Sequence, residues 1–200
     1  FGLHLILLSK ADSGGVRLEG EEVEITSPTD AIAHGIGMIH QHFMLVDTLT
    51  VAENVALGLK SDRGALTDFD RVSERIGELS ERYGLDIDPE ALIWQLAVGQ
   101  RQRVEIIKAL YRDAKLLILD EPTAVLTPQE VDQLFVTLRQ MTTDGRGLIF
   151  ISHKLHEVLA LSDRITVLRL GRVTGHVAAA DATREVLAEM MVGRQVQMVP

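Results

Sequence analysis

The stretch LLILDEPTAVLTPQE, Leu116–Glu130, decides the fold. A short aliphatic run ends in two adjacent carboxylates, Asp120 and Glu121. A buried strand that finishes this way delivers negative charge to something positive. TPQE then carries a capping box, Thr127 to Glu130, which opens a helix through Val131, Leu134, Phe135, Leu138 and Met141. In many nucleotide-hydrolysing folds, magnesium on a triphosphate is the positive partner of such carboxylates. The expected companion is a loop of the form G-x-x-x-x-G-K-[ST], whose backbone amides cradle phosphate. No Gly-Lys-Ser or Gly-Lys-Thr occurs in the chain.

Outward from that stretch, strands and helices alternate. GLIFIS (147–152) reads as a buried strand, HKLHEVLAL (153–161) as a helix and RITVLRLGRVTGHV (164–177) as a hairpin across Gly171. A last short helix falls near REVLAEMM (184–191). Upstream, a hairpin turns at Gly20, and Ser27, Pro28 and Asp30 start a helix that Gly35 stops. IGMIHQ (36–41) is a strand with a polar end, and Thr50 with Glu53 repeats the helix-start signal. Phe69, Val72, Ile76, Leu79 and Tyr83, followed by Gly84, space an amphipathic helix. Val104, Ile107 and Tyr111 mark one face of the next. Alternation implies an α/β fold with a largely parallel sheet and small antiparallel hairpins. The purely helical middle implies a lobe inserted at roughly residues 43–110.

Composition bounds the function. A chain of 200 residues with 46% hydrophobic and 24% charged residues supports a packed core and excludes extended disorder. A net charge of −9 gives non-specific nucleic-acid binding no help. The absence of cysteine excludes a disulfide framework and thiolate metal sites. LHLILL, from Leu3, is far shorter than the ~20 residues of a membrane span, and its flanks are not those of a signal peptide. The opening on Phe1 and an immediate apolar run suggests a beginning that lies upstream.

Gln41, Asp120, Glu121 and His153 all fall at predicted strand ends, where parallel sheets bind ligands. Asp120 is suited to hold magnesium through water. Glu121 is placed to orient or deprotonate a water, Gln41 to touch water and metal, and His153 to donate to a terminal phosphate. Consecutive strand side chains point different ways, so the two acids can serve metal and water separately. Other readings remain open on the residues alone: a solvated turn before Pro122, a helix-capping His153, a loop amide at Gln41. The His40–His42 triplet lacks a clustered third metal ligand. Arg101, Arg103, Lys108 and Arg112, mixed with Glu105, read as the wet face of a helix.

Taken in order, these segments resemble the ATPase subunit of ATP-binding cassette transporters, which has a P-loop NTPase-like fold. LLILDE is similar to the Walker B strand with its catalytic glutamate, and LAVGQ (96–100) to the signature usually written LSGGQ. Gln41 matches the Q-loop glutamine, His153 the switch histidine and TAVLT (123–127) the D-loop. IGMIHQHFMLVDTLTVAENVALG, DEPTAVLTPQE and the ending LAEMMVGRQV resemble the first cassette of tandem ATPases in simple-sugar and nucleoside importers. The resemblance implies ATP and magnesium as cofactors, with Asp120 and Gln41 toward the metal. It implies that Ala97, Val98, Gly99 and Gln100 face a nucleotide bound by a second cassette. Implied partners are that cassette, permease subunits and, indirectly, a substrate-binding protein, at the cytoplasmic face of the inner membrane. No nucleic-acid partner is implied.

On this alignment Leu3–Leu8 are the remainder of the helix after a missing Walker A loop, so the chain is expected to be N-terminally truncated and inactive alone. Ala97 stands where the signature serine belongs, and Thr127 replaces the usual D-loop aspartate. These departures keep a non-catalytic partner cassette in view. A soluble cassette ATPase of translation or DNA repair would need a basic linker or a long coiled-coil insertion, and neither is present.

Overall fold

The computed structural model describes residues 13–41, 43–59 and 68–193. The Leu3–Leu8 helix, His42 and the end of the LAEMMVGRQV segment lie outside them. The chain divides into two compact units between Ile151 and Ser152.

In the first unit, β1 (Val16–Leu18) and β2 (Glu21–Val23) form the hairpin expected at Gly20. Its turn uses positive φ at both Glu19 and Gly20, 53° and 90°, the geometry of a tight hairpin. Helix α1 (Pro28–Ala33) is capped by Ser27, whose hydroxyl accepts the Asp30 N–H. The Asp30 carboxylate turns back to accept from the Thr26 N–H and hydroxyl. Next come β3 (Ile36–Ile39), α2 (Val51–Ala56), α3 (Phe69–Tyr83), a 3-10 turn at Ile93–Gln95 and α4 (Val98–Tyr111). The unit finishes with β4 (Leu116–Asp120), α5 (Pro128–Thr143) and β5 (Gly147–Ile151). Among the described residues between β3 and β4 there is no strand beyond an isolated bridge, Thr50 to Leu92.

The sheet has the order β3-β4-β5, and every pairing is parallel. Central β4 explains its own composition, because Leu117, Ile118 and Leu119 are wholly buried. A strand covered on both faces needs an unbroken aliphatic run rather than alternation. Gly37 on β3 admits α4 at close range, since a Cβ there would lie 3.2 Å from that of Ala109. The spacing of α3 buries Val72, Ile76, Leu79 and Tyr83, and Gly84 ends the helix at φ 62°. Phe69 departs from that stripe: it opens the helix and is exposed.

The second unit contains α6 (Leu155–Leu161), the hairpin β6 (Arg164–Arg169) and β7 (Arg172–Ala178), and α7 (Arg184–Val192). Val158, Ile165, Val167 and Leu187 form its own core. Leu170 and Gly171 turn the hairpin at φ 49° and 75°. Helix α6 starts two residues later than the sequence suggests, with Lys154 at its N-cap. His153 therefore lies outside the helix, one residue before its N-cap, and Ser152 Oγ accepts the Lys154 N–H. No helix among the described residues is long and apolar enough to cross a membrane.

Candidate functional site

Asp120 is the last residue of the central strand, in register with Ile151 of β5 and half-buried. Glu121 does not continue the strand. Its φ is 48°, in the left-handed region, where an L residue is strained by about 1–3 kcal/mol. Its N–H still donates to the Ile151 carbonyl at 2.9 Å, and its carbonyl accepts the Ala124 N–H at 3.1 Å. The two acids thus differ by backbone conformation, strand against turn, and not by strand alternation as the sequence suggests.

Gln41 is exposed two residues beyond Ile39, which pairs with Leu119. It leaves the sheet at the same carboxyl edge as Asp120. Both are hard oxygen donors, and among the described residues no group of three His, Cys, Asp or Glu could enclose a metal. Oxygen donors are the ligand type that magnesium prefers, an ion that keeps much of its water and takes further ligands from phosphate. His153 lies in the second unit and is exposed.

The LAVGQ segment forms the start of α4. Ala97 occupies the N-cap without a side-chain acceptor, and Gln100 Oε1 accepts the Ala97 N–H at 3.0 Å. Ala97 and Val98 are exposed, whereas Gly99 is buried. A Cβ at Gly99 would overlap the Glu130 carboxylate, so glycine allows this contact without displacing that side chain. That carboxylate is fixed by the α5 capping box, accepting the Thr127 N–H at 2.8 Å and hydroxyl at 2.9 Å. The backbone bond first, and then the hydroxyl, hold the Glu130 pKa below its ordinary value. One turn along α4, Gln102 Nε2 donates to the Pro122 carbonyl at 2.7 Å. The first two turns of α4 therefore meet the acidic turn at Pro122 and the start of α5 at Glu130.

The polar side of α4 is not the wet face expected. Glu105 is buried, and its Oε1 accepts the Met44 N–H at 2.8 Å. Lys108 donates to the Met44 carbonyl at 3.2 Å, so one peptide backbone is held from both sides. Arg101 pairs with Asp47, Arg103 donates to the Leu85 carbonyl and Gln133, and Arg112 donates to the Leu57 carbonyl. Buried Asn54 both accepts from and donates to the Val46 backbone. Sequence reasoning missed Asn54, Gln102 and Glu105. For Glu105 a signal existed: it lies inside VEII (104–107), a run too apolar for a helix with one wet side.

A profile of the ABC transporter family matches residues 3–124. The chain belongs to the ABC transporter family. It is 51% identical to the glucose import ATP-binding protein TsgD13 of Haloferax volcanii, the match taking in 94% of this chain and 40% of that protein. It is 48% identical to the nucleoside import ATP-binding protein NupA of Lactococcus lactis, over 96% of this chain and 38% of that protein. The chain thus spans about two fifths of the length of these curated relatives. Among solved structures, an ABC transporter cassette in its ADP conformation superposes with a TM-score of 0.79 at 22% identity. That match covers 96% of this chain and 82% of the other and establishes the P-loop NTPase-like fold. A dimeric post-hydrolysis cassette bound to ADP and Pi gives a TM-score of 0.69 at 26% identity, over 86% of this chain and 76% of that one.

Proposed function

We propose that this cassette is part of the ATP-hydrolysing subunit of an importer for sugars or nucleosides. The observation that carries the reading is the acid pair at the end of the central strand, with the start of the signature helix packed on the same turn. Bound with magnesium, ATP supplies the phosphoanhydride whose cleavage drives the cycle. Asp120, aided by Gln41, holds the metal through water, and Glu121 orients and deprotonates the attacking water. His153 donates a hydrogen bond to the terminal phosphate. Ala97, Val98, Gly99 and Gln100 meet the nucleotide of a second cassette.

The lobe of roughly residues 43–110 serves the permease. Met44, Val46 and Trp94 are exposed apolar side chains in its first unit, and the Trp94 N–H donates to the Asp47 carbonyl beside them. Permease subunits, a second cassette and, indirectly, a substrate-binding protein are the partners of this reading, at the cytoplasmic face of the inner membrane. Alone, the 200-residue chain should not bind Mg-ATP at roughly micromolar levels, because it has no P-loop lysine to offset the two carboxylates. Isothermal titration checks this.

One observation favours a second reading, a non-catalytic partner cassette. Ala97 offers no hydroxyl at the α4 N-cap, and the Thr127 hydroxyl is taken up by its own helix cap. Orthovanadate trapping on the full-length subunit reconstituted with its permease separates the two. Nucleotide trapped behind Glu121 supports the hydrolase; trapping confined to the other cassette supports the scaffold.

A further inference from the structure

We propose that Gln102 is a positioning residue: its buried amide holds the Pro122 carbonyl and so fixes the turn that presents Glu121. The inference rests on the reading of Glu121 as the base, and goes beyond it by naming what holds that base in place. Three observations carry it. The Glu121 backbone is left-handed at φ 48°, a conformation that persists in an L residue only where its surroundings enforce it. Backbone bonds to Ile151 and from Ala124 fix Glu121 itself, while the next carbonyl, that of buried Pro122, is held by Gln102 at 2.7 Å. Gln102 is 2% exposed, and its Oε1 has no protein partner among the described residues.

The bond to Pro122 gives this side chain a role beyond packing. A buried amide that satisfies only its donor is a poorer core residue than an apolar side chain of the same shape. What the amide supplies here is one donor at one place, the carbonyl just after Glu121. Gln102 also lies one turn beyond Gly99, which packs on Glu130 in the first turn of α5. The segment from Pro122 to the start of α5 is therefore held at both ends by the first two turns of α4. Loss of the Gln102 donor leaves Pro122 O buried without its partner and lets Glu121 relax toward ordinary φ, which moves its carboxylate.

The test uses the full-length subunit with its permease and two variants. Gln102→Met keeps volume and removes the donor; Gln102→Glu places an acceptor against the carbonyl until it is protonated. Both should lower kcat at neutral pH by roughly 10-fold, the scale of one buried hydrogen bond, with KM for ATP within about twofold of the parent. Relative to the parent, Gln102→Glu should recover as pH falls, because a protonated carboxyl donates again; Gln102→Met should not. Should Gln102→Met fail to fold, this pH profile carries the test alone. Amide exchange without nucleotide, at Glu121 and Ala124, should also quicken in Gln102→Met by roughly 10-fold. If the parent subunit hydrolyses no ATP, the functional reading fails, and exchange alone decides the positioning. Parent-like kcat in Gln102→Met, a proportional rise in KM, or unchanged exchange at both amides overturns the proposal.

Discussion

Helices α3 and α4 have nearly equal lengths, 15 and 14 residues, and bury their polar residues to different degrees. Helix α3 is capped at both ends, by Asp68 and by left-handed Gly84, and turns a charged face to water. It buries one apolar stripe. Its polar contacts to other segments include those of Ser80, which accepts the Ile87 N–H, Ser73 with Glu90, and Arg82 and Tyr83 with Asp144. Helix α4 starts at Ala97 with no side-chain cap and sinks Gln102 and Glu105 among Val104, Ile106 and Ile107. Its polar groups are directed at backbone atoms of other segments, Met44 and Pro122 above all. A helix that only packs can be read from its periodicity; a helix that organises a site breaks that periodicity where it reaches out.

Truncations on the two helices should have unequal costs. The largest effect is expected at the α3 stripe. Ile76 is wholly buried, so Ile76→Ala should cost about 3 kcal/mol in urea unfolding followed by the lone tryptophan, Trp94. Next comes the polar side of α4, where Glu105→Ala removes a charged acceptor from the Met44 N–H and should cost about 2 kcal/mol. On α3 the ion pair Arg75–Glu78 has both side chains more than half exposed, so Arg75→Ala should cost less than about 0.5 kcal/mol. Equal losses at Glu105 and Arg75 would mean that both helices present ordinary wet faces.

The joint between α4 and α5 responds to pH. Glu130 has a folded pKa below its ordinary value because it accepts from Thr127. Its contribution is therefore fully present above the unfolded pKa and disappears as pH falls through the lowered folded pKa. The melting-temperature gap between parent and Glu130→Ala should be widest near neutrality and shrink on acidification. A gap constant into acid would assign it to packing against Gly99 alone.

These contrasts also show what the amino-acid sequence makes legible. Caps at Ser27, Thr50 and Thr127 are local chemistry and appear where their residues predict. The buried β4 run and the α3 stripe are equally direct, because burial on two faces or one dictates composition. The Asp120–Glu121 pair was legible as chemistry but not as geometry. Gly20, Gly84 and Gly171 announce positive φ, whereas a left-handed glutamate carries no such mark. Glu105 and Met44 lie 61 residues apart, and Gln102 and Pro122 lie 20 apart, so nothing local connects them. The late start of α6 escaped for a smaller reason: Ser152 serves as an acceptor to Lys154, and that leaves His153 outside the helix.

One paired measurement reaches the division of labour between the two adjacent carboxylates directly. In the full-length subunit with its permease, with the other cassette silenced by substitution, ATP turnover and ATP affinity are measured for Glu121→Gln and Asp120→Asn. Glu121→Gln keeps size and removes the charge that polarises water, so turnover should fall by roughly 10²-fold or more while ATP affinity holds. Asp120→Asn should weaken magnesium-dependent ATP binding itself. A Glu121→Gln subunit that turns over ATP at the parent rate, with the partner silenced, would contradict the assignment.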